Sequence, residues 1–577
     1  MGIRHLDTFI RRDLPDGLLQ INIENEIRSY YEASNTPNPP APVIVIDLMS
    51  LYYPVCELDF PGLLCGGRYN QVAFTLECFF SRLKSTGAEL VFFRDGPVQE
   101  TKINTWLERQ DRKYVDSIKI IDTIRRNPNL QSLIARQRLI AITDYPYSRI
   151  AKQFGPLHIA MSKECDQEVA AYATAVNAIA VVSNDTDFMI FEGNWRLWSS
   201  KDINFETFNT FEYNRTALVE ALQLSYKQMA VFATLGGNDL VQYEEVKAFH
   251  HKLGSNDRKF YNLADFVRNL TSAEHDQKWL ESCLGQVFRR PSGDVRERFQ
   301  KSLEFYDQSY RKNANESEST TVDELKQLAM TKETVYQVLS GRPLKLVINM
   351  LDLRRSCNGA KFPEMAQRVM MRQVGILLYH QQRSCQNWVV LIKENHDANF
   401  ASRQFQIEYP IDAPPPIIEL LSDDPKVQAS LQETKMRLLC WVASDKLSYQ
   451  MLQQIPEQYV VTVITLHCLV ENQAIKLFEA DLLLFVAFMV YTKSYDFHTL
   501  PYPSVLIAGA VSVAFLFTAM YKIIRIATKS IGLSFEDAAD GPHFDGVLFQ
   551  QLYANWRRGK GNLESIKDWR IYTRSTR

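Results

Sequence analysis

An α/β fold, with a mostly parallel central sheet flanked by helices and a mainly α-helical region after it, is what this 577-residue sequence predicts. Three observations predict it. Short, nearly continuous apolar runs occupy 43–47 (VIVID), 89–93 (ELVFF), 157–161 (LHIAM) and 178–183 (AIAVVS), as expected of strands buried on both faces of a parallel sheet. Amphipathic stretches such as 72–85 and 167–176 lie between them, and that alternation belongs to a sheet covered by helices. After about residue 260 the strand pattern gives way to leucine-rich periodic segments, among them 366–380 and 427–443.

The elements follow in order. A Pro-rich run, NTPNPPAP (35–42), delivers the chain into the first of these strands. The α/β pattern fills residues 1–260, and 261–577 forms the helical region, with a polar linker at 311–324 and an interruption at APPP (413–416). Residues 499–521 carry no charge and are long enough to span a bilayer. Pro501 and Pro503 open that segment, however, and 482–492 is a second apolar stretch in the same region. A helix apolar all round is also what the centre of a large helical domain requires. A buried helix is therefore expected, and no membrane.

Hydrophobic residues make up 46% of the chain and charged residues 23%, ordinary globular values that allow a large core. The formal net charge is −2, so a nucleic-acid partner would have to use a local basic patch. Nine cysteines occur with no C-x-x-C pair, which excludes a zinc knuckle or a disulfide framework and fits the reducing nucleus or cytoplasm. The opening MGIRHLDTFIRRDLP has no apolar core of signal-peptide length, and Leu6 stands where a myristoylation site needs Ser or Thr.

Acidic residues collect where open α/β sheets place their ligands, at the C-terminal ends of strands. Asp47 ends VIVID, Asp95 follows ELVFFR and precedes Gly96, Glu164 and Asp166 follow LHIAM, Asp185 and Asp187 close AIAVVSND, and Asp239 lies in LGGNDL. Any one of them alone reads as a turn former or helix cap. The E-C-D and D-T-D spacings say more, because two acids one residue apart cannot both be ordinary caps and repel unless a cation neutralises them. Seven oxygen donors, with no thiolate or imidazole, select Mg²⁺, with Mn²⁺ as a substitute, over zinc. Two such ions about 4 Å apart suit in-line hydrolysis of a phosphodiester.

These motifs, MGIRHLDTFI, VIVIDL, FFRDG, SKECDQEVAAYA, SNDTDFMIF and LGGND, occur in the order seen in the flap endonuclease/XPG superfamily, which residues 1–245 resemble. The resemblance implies a PIN-like fold, with Asp47, Asp95, Glu164 and Asp166 around one metal and Asp185, Asp187 and Asp239 serving the second, Asp166 being shared. It implies that Lys102 and Arg109 touch the scissile phosphate. Their spacing of seven would put both on one helix face, although a solvated face paired with Glu100, Glu108 and Asp111 has the same pattern. It also implies a helical arch at about 99–150, and a backbone role for Gly2 beside the active site after Met removal. His5 departs from the family's usual glycine and is expected to pack or cap.

A larger departure follows Asp239. The chain reads LVQYEEVKAFHHKLG, without the glycines of the family's duplex-gripping helix-two-turn-helix. Asteroid proteins share this loss and carry a long helical C-terminal half, and 366–380 and 543–553 also resemble asteroid segments. The expectation is a Mg²⁺-dependent, structure-selective endo- or exonuclease acting on DNA at single-strand/duplex junctions or overhangs. Loss of the gripping element favours overhangs or single strands over strict flap incision. Nuclear or cytoplasmic residence, a link to DNA repair and protein partners on the helical half go with that resemblance. The stretch 556–577, with seven basic residues and interleaved aromatics, reads as a nucleic-acid contact or as a solvated tail. Two other functions stay open: a non-catalytic PIN-like nucleic-acid-binding or scaffold protein, which should have lost some of the acids, and a ribonuclease.

Overall fold

The computed structural model describes residues 2–135, 145–255, 258–270, 277–288, 293–306, 332–381, 385–533, 535–559 and 564–571. The linker expected at 311–324, part of the expected arch and part of the basic stretch 556–577 (560–563 and 572–577) lie outside them. The chain forms two compact units that interleave in sequence: 1–54, 78–105 and 151–321 make the first, and 55–77, 106–150 and 322–577 the second.

The first unit is built on a seven-stranded sheet. Its strands are β1 (Leu18–Asn22), β2 (Val43–Asp47), β3 (Glu89–Asp95), β4 (Leu157–Ala160), β5 (Ala180–Ser183), β6 (Arg196–Ser199) and β7 (Asn209–Tyr213), in the order β1-β7-β6-β5-β2-β3-β4. Strands β2 to β6 run parallel, while β7 and β1 add an antiparallel edge. All four predicted strands are present, because Ile44, Val45, Ile46, Leu90, Phe92, Val181 and Val182 are buried from both faces. The α/β expectation is borne out. The strands that the apolar-run criterion passed over, β1, β6 and β7, carry polar residues such as Gln20, Arg196 and Glu212; β1 and β7 are partly exposed, while β6 is mostly buried.

The parallel strand order reverses between β2 and β5. Ile46 pairs with Val182 there, and Asp95 pairs with Ala160 at the neighbouring strand end. Asp47, Asp95 and Ser183 therefore finish at one edge of the sheet, at the switch point where such folds open a crevice. Gly96 lets the ends of β3 and β4 close on each other: a Cβ at this position would fall well inside contact distance of the Ala160 carbonyl oxygen. Gly96→Ala is expected to lower stability by about 1–3 kcal/mol through overpacking, seen as an earlier thermal transition. An unchanged transition would show that the strand ends part without cost.

The second unit is mainly helical, as expected. Its centre is the helix Ala508–Ile531, 24 residues long and the one helix among the described residues long and apolar enough to cross a membrane. Of its most apolar window, 78% is buried by the protein itself, packed against the helices Phe362–Leu378, Pro425–Ala443 and Glu457–Glu471. The charge-free segment 499–521 is not itself the helix. Residues 499–507 stay irregular around Pro501 and Pro503, and the helix runs on through Lys522, Arg525 and Lys529. A small sheet of β8 (Leu344–Lys345), β9 (Asn387–Ile392) and β10 (Ala401–Gln406) interrupts the helical run. Leucine periodicity did not signal it, because β10 is largely exposed.

Candidate active site

Each acidic residue owes its position to a local device. Asp47, the last residue of β2, caps the short turn Leu48–Leu51 by accepting from the Met49 amide, and also accepts from Ser183 Oγ at 2.8 Å. Asp185 does the same for the turn Thr186–Met189, accepting from the Asp187 amide at 3.1 Å. Glu164 occupies the N-cap of the helix Cys165–Ala175 without a side-chain cap bond, leaving its carboxylate for Lys102, and Asp166 lies in that helix's first turn. Asp239 follows Asn238, whose side-chain oxygen accepts from the Leu240 and Val241 amides and sets the turn.

The fold brings Asp166, Asp185 and Asp187 together, with one carboxylate oxygen of each within 4.8 Å of the others. Asp47 and Asp95 face each other beside this trio closely enough that Asp95 helps raise the Asp47 pKa. Burial is the larger cause, and the Asp47 carboxyl is pushed up to about 7. Asp187, only 4% exposed, is pushed up to about 7 as well, by burial and then by Asp185. Burial and the Asp185 charge also drive Asp166 well above the usual carboxylate range, against the pull of Lys102. Acids so held are short of positive charge, and a group of oxygen donors in that condition fits hard divalent cations.

Lys102 is one cation already present. Its ammonium lies 2.8 Å from Glu164 and 3.6 Å from Asp239. Burial pulls its pKa down, but Glu164, Asp239 and Asp166 outweigh that and hold it above the usual lysine range. It sits in the turn Glu100–Lys102, one residue before the helix Ile103–Arg126 begins, so the helix face expected to carry both Lys102 and Arg109 starts too late for the first of them. Arg109 lies on that helix within the second unit.

Gly2 reaches the carboxylates through its backbone. It has φ +43°, and a Cβ there would collide with Thr186 Oγ1 and an Asp185 carboxylate oxygen. The Ile3 amide donates to Thr186 Oγ1 at 2.8 Å, and the Arg4 amide to the Gly237 carbonyl at 2.9 Å. The segment is thus tied both to the turn bearing Asp185 and to the turn bearing Asp239. His5 packs edge-on against Tyr243, with ring centroids 5.7 Å apart.

One residue at the site went unsuspected. Tyr306, at the end of the helix Gly293–Tyr306, donates its hydroxyl to Asp187 Oδ1 at 2.6 Å and receives the Asn238 amide at 3.3 Å. It lies far along the chain from every acidic motif, and a helix-terminal tyrosine carries no local signal. Groups that orient a ligating carboxylate are typically worth about 10–100-fold in metal affinity. Tyr306→Phe should weaken Mn²⁺ binding by about that factor without unfolding the unit; calorimetric titration showing an unchanged affinity would remove Tyr306 from the site.

Asp239 and Tyr306 both fall in residues 222–310, which match the FAM120A-like domain family. Over 257 residues the chain is 27% identical to the constitutive coactivator of peroxisome proliferator-activated receptor gamma of Mus musculus, covering 44% of this chain and 31% of that protein. Over 226 residues it is 26% identical to the single-strand DNA endonuclease ASTE1 of Danio rerio, covering 37% of this chain and 31% of that one. Among solved structures, human GEN1 in complex with Holliday junction DNA aligns at 13% identity over 68% of this chain and 84% of that chain, with a TM-score of 0.30. The matches span 40% or less of the length of the coactivator and endonuclease relatives.

Proposed function

We propose, from its similarity to asteroid-like nucleases of the flap endonuclease/XPG superfamily, that this chain hydrolyses phosphodiesters of DNA at single-strand/duplex junctions or overhangs, using two Mg²⁺ ions. The observation that carries the reading is the Asp166–Asp185–Asp187 trio at the switch point of the sheet, flanked by four more acids of the set and by Lys102. Bound divalent ions would supply an activated water and stabilise the leaving oxygen. In this reading Asp47, Asp95, Glu164 and Asp166 hold one ion and Asp185, Asp187 and Asp239 the other, with Asp166 shared. Tyr306 and Ser183 fix the rotamers of Asp187 and Asp47 through the hydrogen bonds described above. Lys102 neutralises excess carboxylate charge and turns toward the scissile phosphate, where a fixed cation stabilises developing charge. Arg109 acts on the same phosphate, and Gly2 keeps the backbone close to Asp185 where any side chain would intrude.

The coactivator-named relatives favour a second reading, a nucleic-acid-binding scaffold without catalysis. The complete acid set favours the enzyme, since relaxed selection on a dead site has no reason to keep seven mutually repelling carboxylates. The test is purified full-length protein incubated with labelled 5′-flap, 3′-overhang and single-stranded DNA and with matched RNA, in Mg²⁺, Mn²⁺ or EDTA. Metal-dependent cleavage of a DNA substrate supports the proposal, and cleavage of the RNA alone makes the chain a ribonuclease. Tight binding without cleavage in either metal supports the scaffold.

A further inference from the structure

A cavity lies in the first unit, apart from the carboxylates. It measures about 310 Å³. Its floor is Phe9 against Phe260, with ring centroids 5.0 Å apart, and His5, Thr8 and Asp13 complete its wall. Into it projects Lys259, the first residue of the helix Lys259–Asn269. The Lys259 ammonium stands 4.0 Å from the Tyr243 ring centroid and 4.8 Å from that of Phe260. Its hydrogen bond to the Arg4 carbonyl is long, at 3.5 Å. Among the described residues no carboxylate forms an ion pair with Lys259 or with Arg4; Asp13 lines the same cavity without reaching either.

We propose that this cavity is a phosphate subsite, in which Lys259, with Arg4 at its rim, holds a backbone phosphate of the nucleic acid engaged by the carboxylate site. A half-buried ammonium between two aromatic faces, with no carboxylate partner among the described residues, is a site for an anion, because desolvation has been incurred with no ionic partner there to offset it. The Thr8 hydroxyl lines the same space as a further donor, and the Tyr243 and Phe260 faces suit the sugar and base beside a phosphate. Position selects the source of the phosphate. Gly2 abuts Asp185 and His5 lines the cavity, and three residue steps span at most about 10 Å. That is no more than about three nucleotide steps along one strand. A strand cleaved at the carboxylates therefore has phosphates within reach of Lys259. Burial, and after it the Arg4 charge, push the Lys259 pKa down to about 8. Charged and titratable neighbours on the packed segments are Arg4, His5 and Asp13, Tyr243 and His250 on the helix Tyr243–Leu253, and Arg258 and Tyr261 on its own.

This subsite rests on the nuclease reading for its ligand, so binding is measured apart from cleavage. Full-length protein is titrated by fluorescence anisotropy onto labelled overhang DNA, with Ca²⁺ in place of Mg²⁺, across a salt series. Lys259→Met, which keeps the aliphatic bulk and removes the charge, is expected to bind about tenfold more weakly with a salt slope smaller by about one, and Lys259→Arg should restore both. Wild-type affinity should fall between pH 7 and 9.5, where Lys259→Arg stays flat. Unchanged affinity and slope in Lys259→Met would overturn the proposal. So would a loss of stabilisation by inorganic phosphate in that variant while its DNA binding stayed intact, because the cavity would then take a free phosphate. If wild type binds DNA through Lys259 but cleaves nothing in Mg²⁺ or Mn²⁺, the subsite stands and the nuclease reading falls. Cleavage with Lys259-independent binding gives the reverse.

Discussion

Asp185→Ala/Asp187→Ala is expected to leave no cleavage above the EDTA background, a loss on the order of a thousandfold or more, since removal of a single well-placed electrostatic group already costs about 10²–10³ in rate. The two carboxylates form two-thirds of the close trio, so no partial site survives on that side of the sheet. The fold should survive. Asp187 is a buried acid whose neighbours disfavour its charge, and taking it out relieves repulsion rather than breaking an ion pair. Loss of the Asp185 cap on the turn Thr186–Met189 works against that gain, so the variant should melt close to wild type in EDTA, and that result separates lost chemistry from lost structure. The Tyr306 hydroxyl loses its acceptor in this variant, a cost of about 1–3 kcal/mol that opposes the gain. Cleavage persisting at the wild-type rate in a well-folded double variant would dismiss the trio as the catalytic centre.

The second large effect is a coupling of stability to pH and metal. Asp47 and Asp187 are held at about 7 against an ordinary 3.8. A raised carboxyl pKa means that the folded chain binds protons more tightly than the unfolded chain between about pH 4 and 7. Raising the pH through that window therefore removes stability, and the deficit is complete above about 7. At about 1.4 kcal/mol for each tenfold change in proton affinity, the two groups together are worth a few kcal/mol. Buried His250 and His543, pushed down to about 4 and about 3, act in the opposite sense over the same window, so the carboxylate contribution is read as a difference: between pH 5 and pH 7.5 the metal-free wild type is expected to lose more stability, or gain less, than Asp187→Asn. Asp7, pulled down to about 2 by its partners Lys201, Tyr213 and Arg11 against the effect of burial, contributes stability that is lost only below about pH 4, outside the comparison. Saturation with Mg²⁺ or Mn²⁺ should raise the pH 7.5 transition most, adding about 2.7 kcal/mol at a hundred times the dissociation constant, and should flatten the pH dependence. Asp187→Asn should remove part of the slope. An identical pH 5 to 7.5 change in wild type and Asp187→Asn, or a protein indifferent to both metals, would contradict the cation reading of this cluster.

Much of this was legible in the residues. The strands β2, β3 and β5 are apolar runs because both their faces are covered, β4 is a half-exposed edge strand with the same kind of run, and each of the four ends in an acid or leads into one within a few residues. Asp47, Asp95, Glu164, Asp166, Asp185, Asp187 and Asp239 could be picked from strand ends and short spacings before any contact was known. The strands β1, β6 and β7 and the small sheet β8–β10 were less visible, since polar residues such as Gln20, Arg196, Glu212 and Arg403 are mixed into their sequences. Tyr306 and Lys259 were invisible, because neither sits in a motif. Tyr306 matters through Asp187, and Lys259 through the aromatic rings of Tyr243 and Phe260.

By itself the sequence determined the class of fold, the identity of the acids and the kind of ion they suit, for hydrophobic periodicity and donor chemistry are properties of single residues and their near neighbours. Only the tertiary structure decided which acids stand closest, which are pushed toward protonation, and that Lys102 bridges Glu164 and Asp239. Those depend on strand order, on burial and on charges brought together from distant parts of the chain, as the contacts of Lys102 with Glu164 and Asp239 show. The same holds for the apolar span near residue 500, whose composition suits a bilayer or a core equally. Packing against three helices, which no local pattern encodes, placed it in the core.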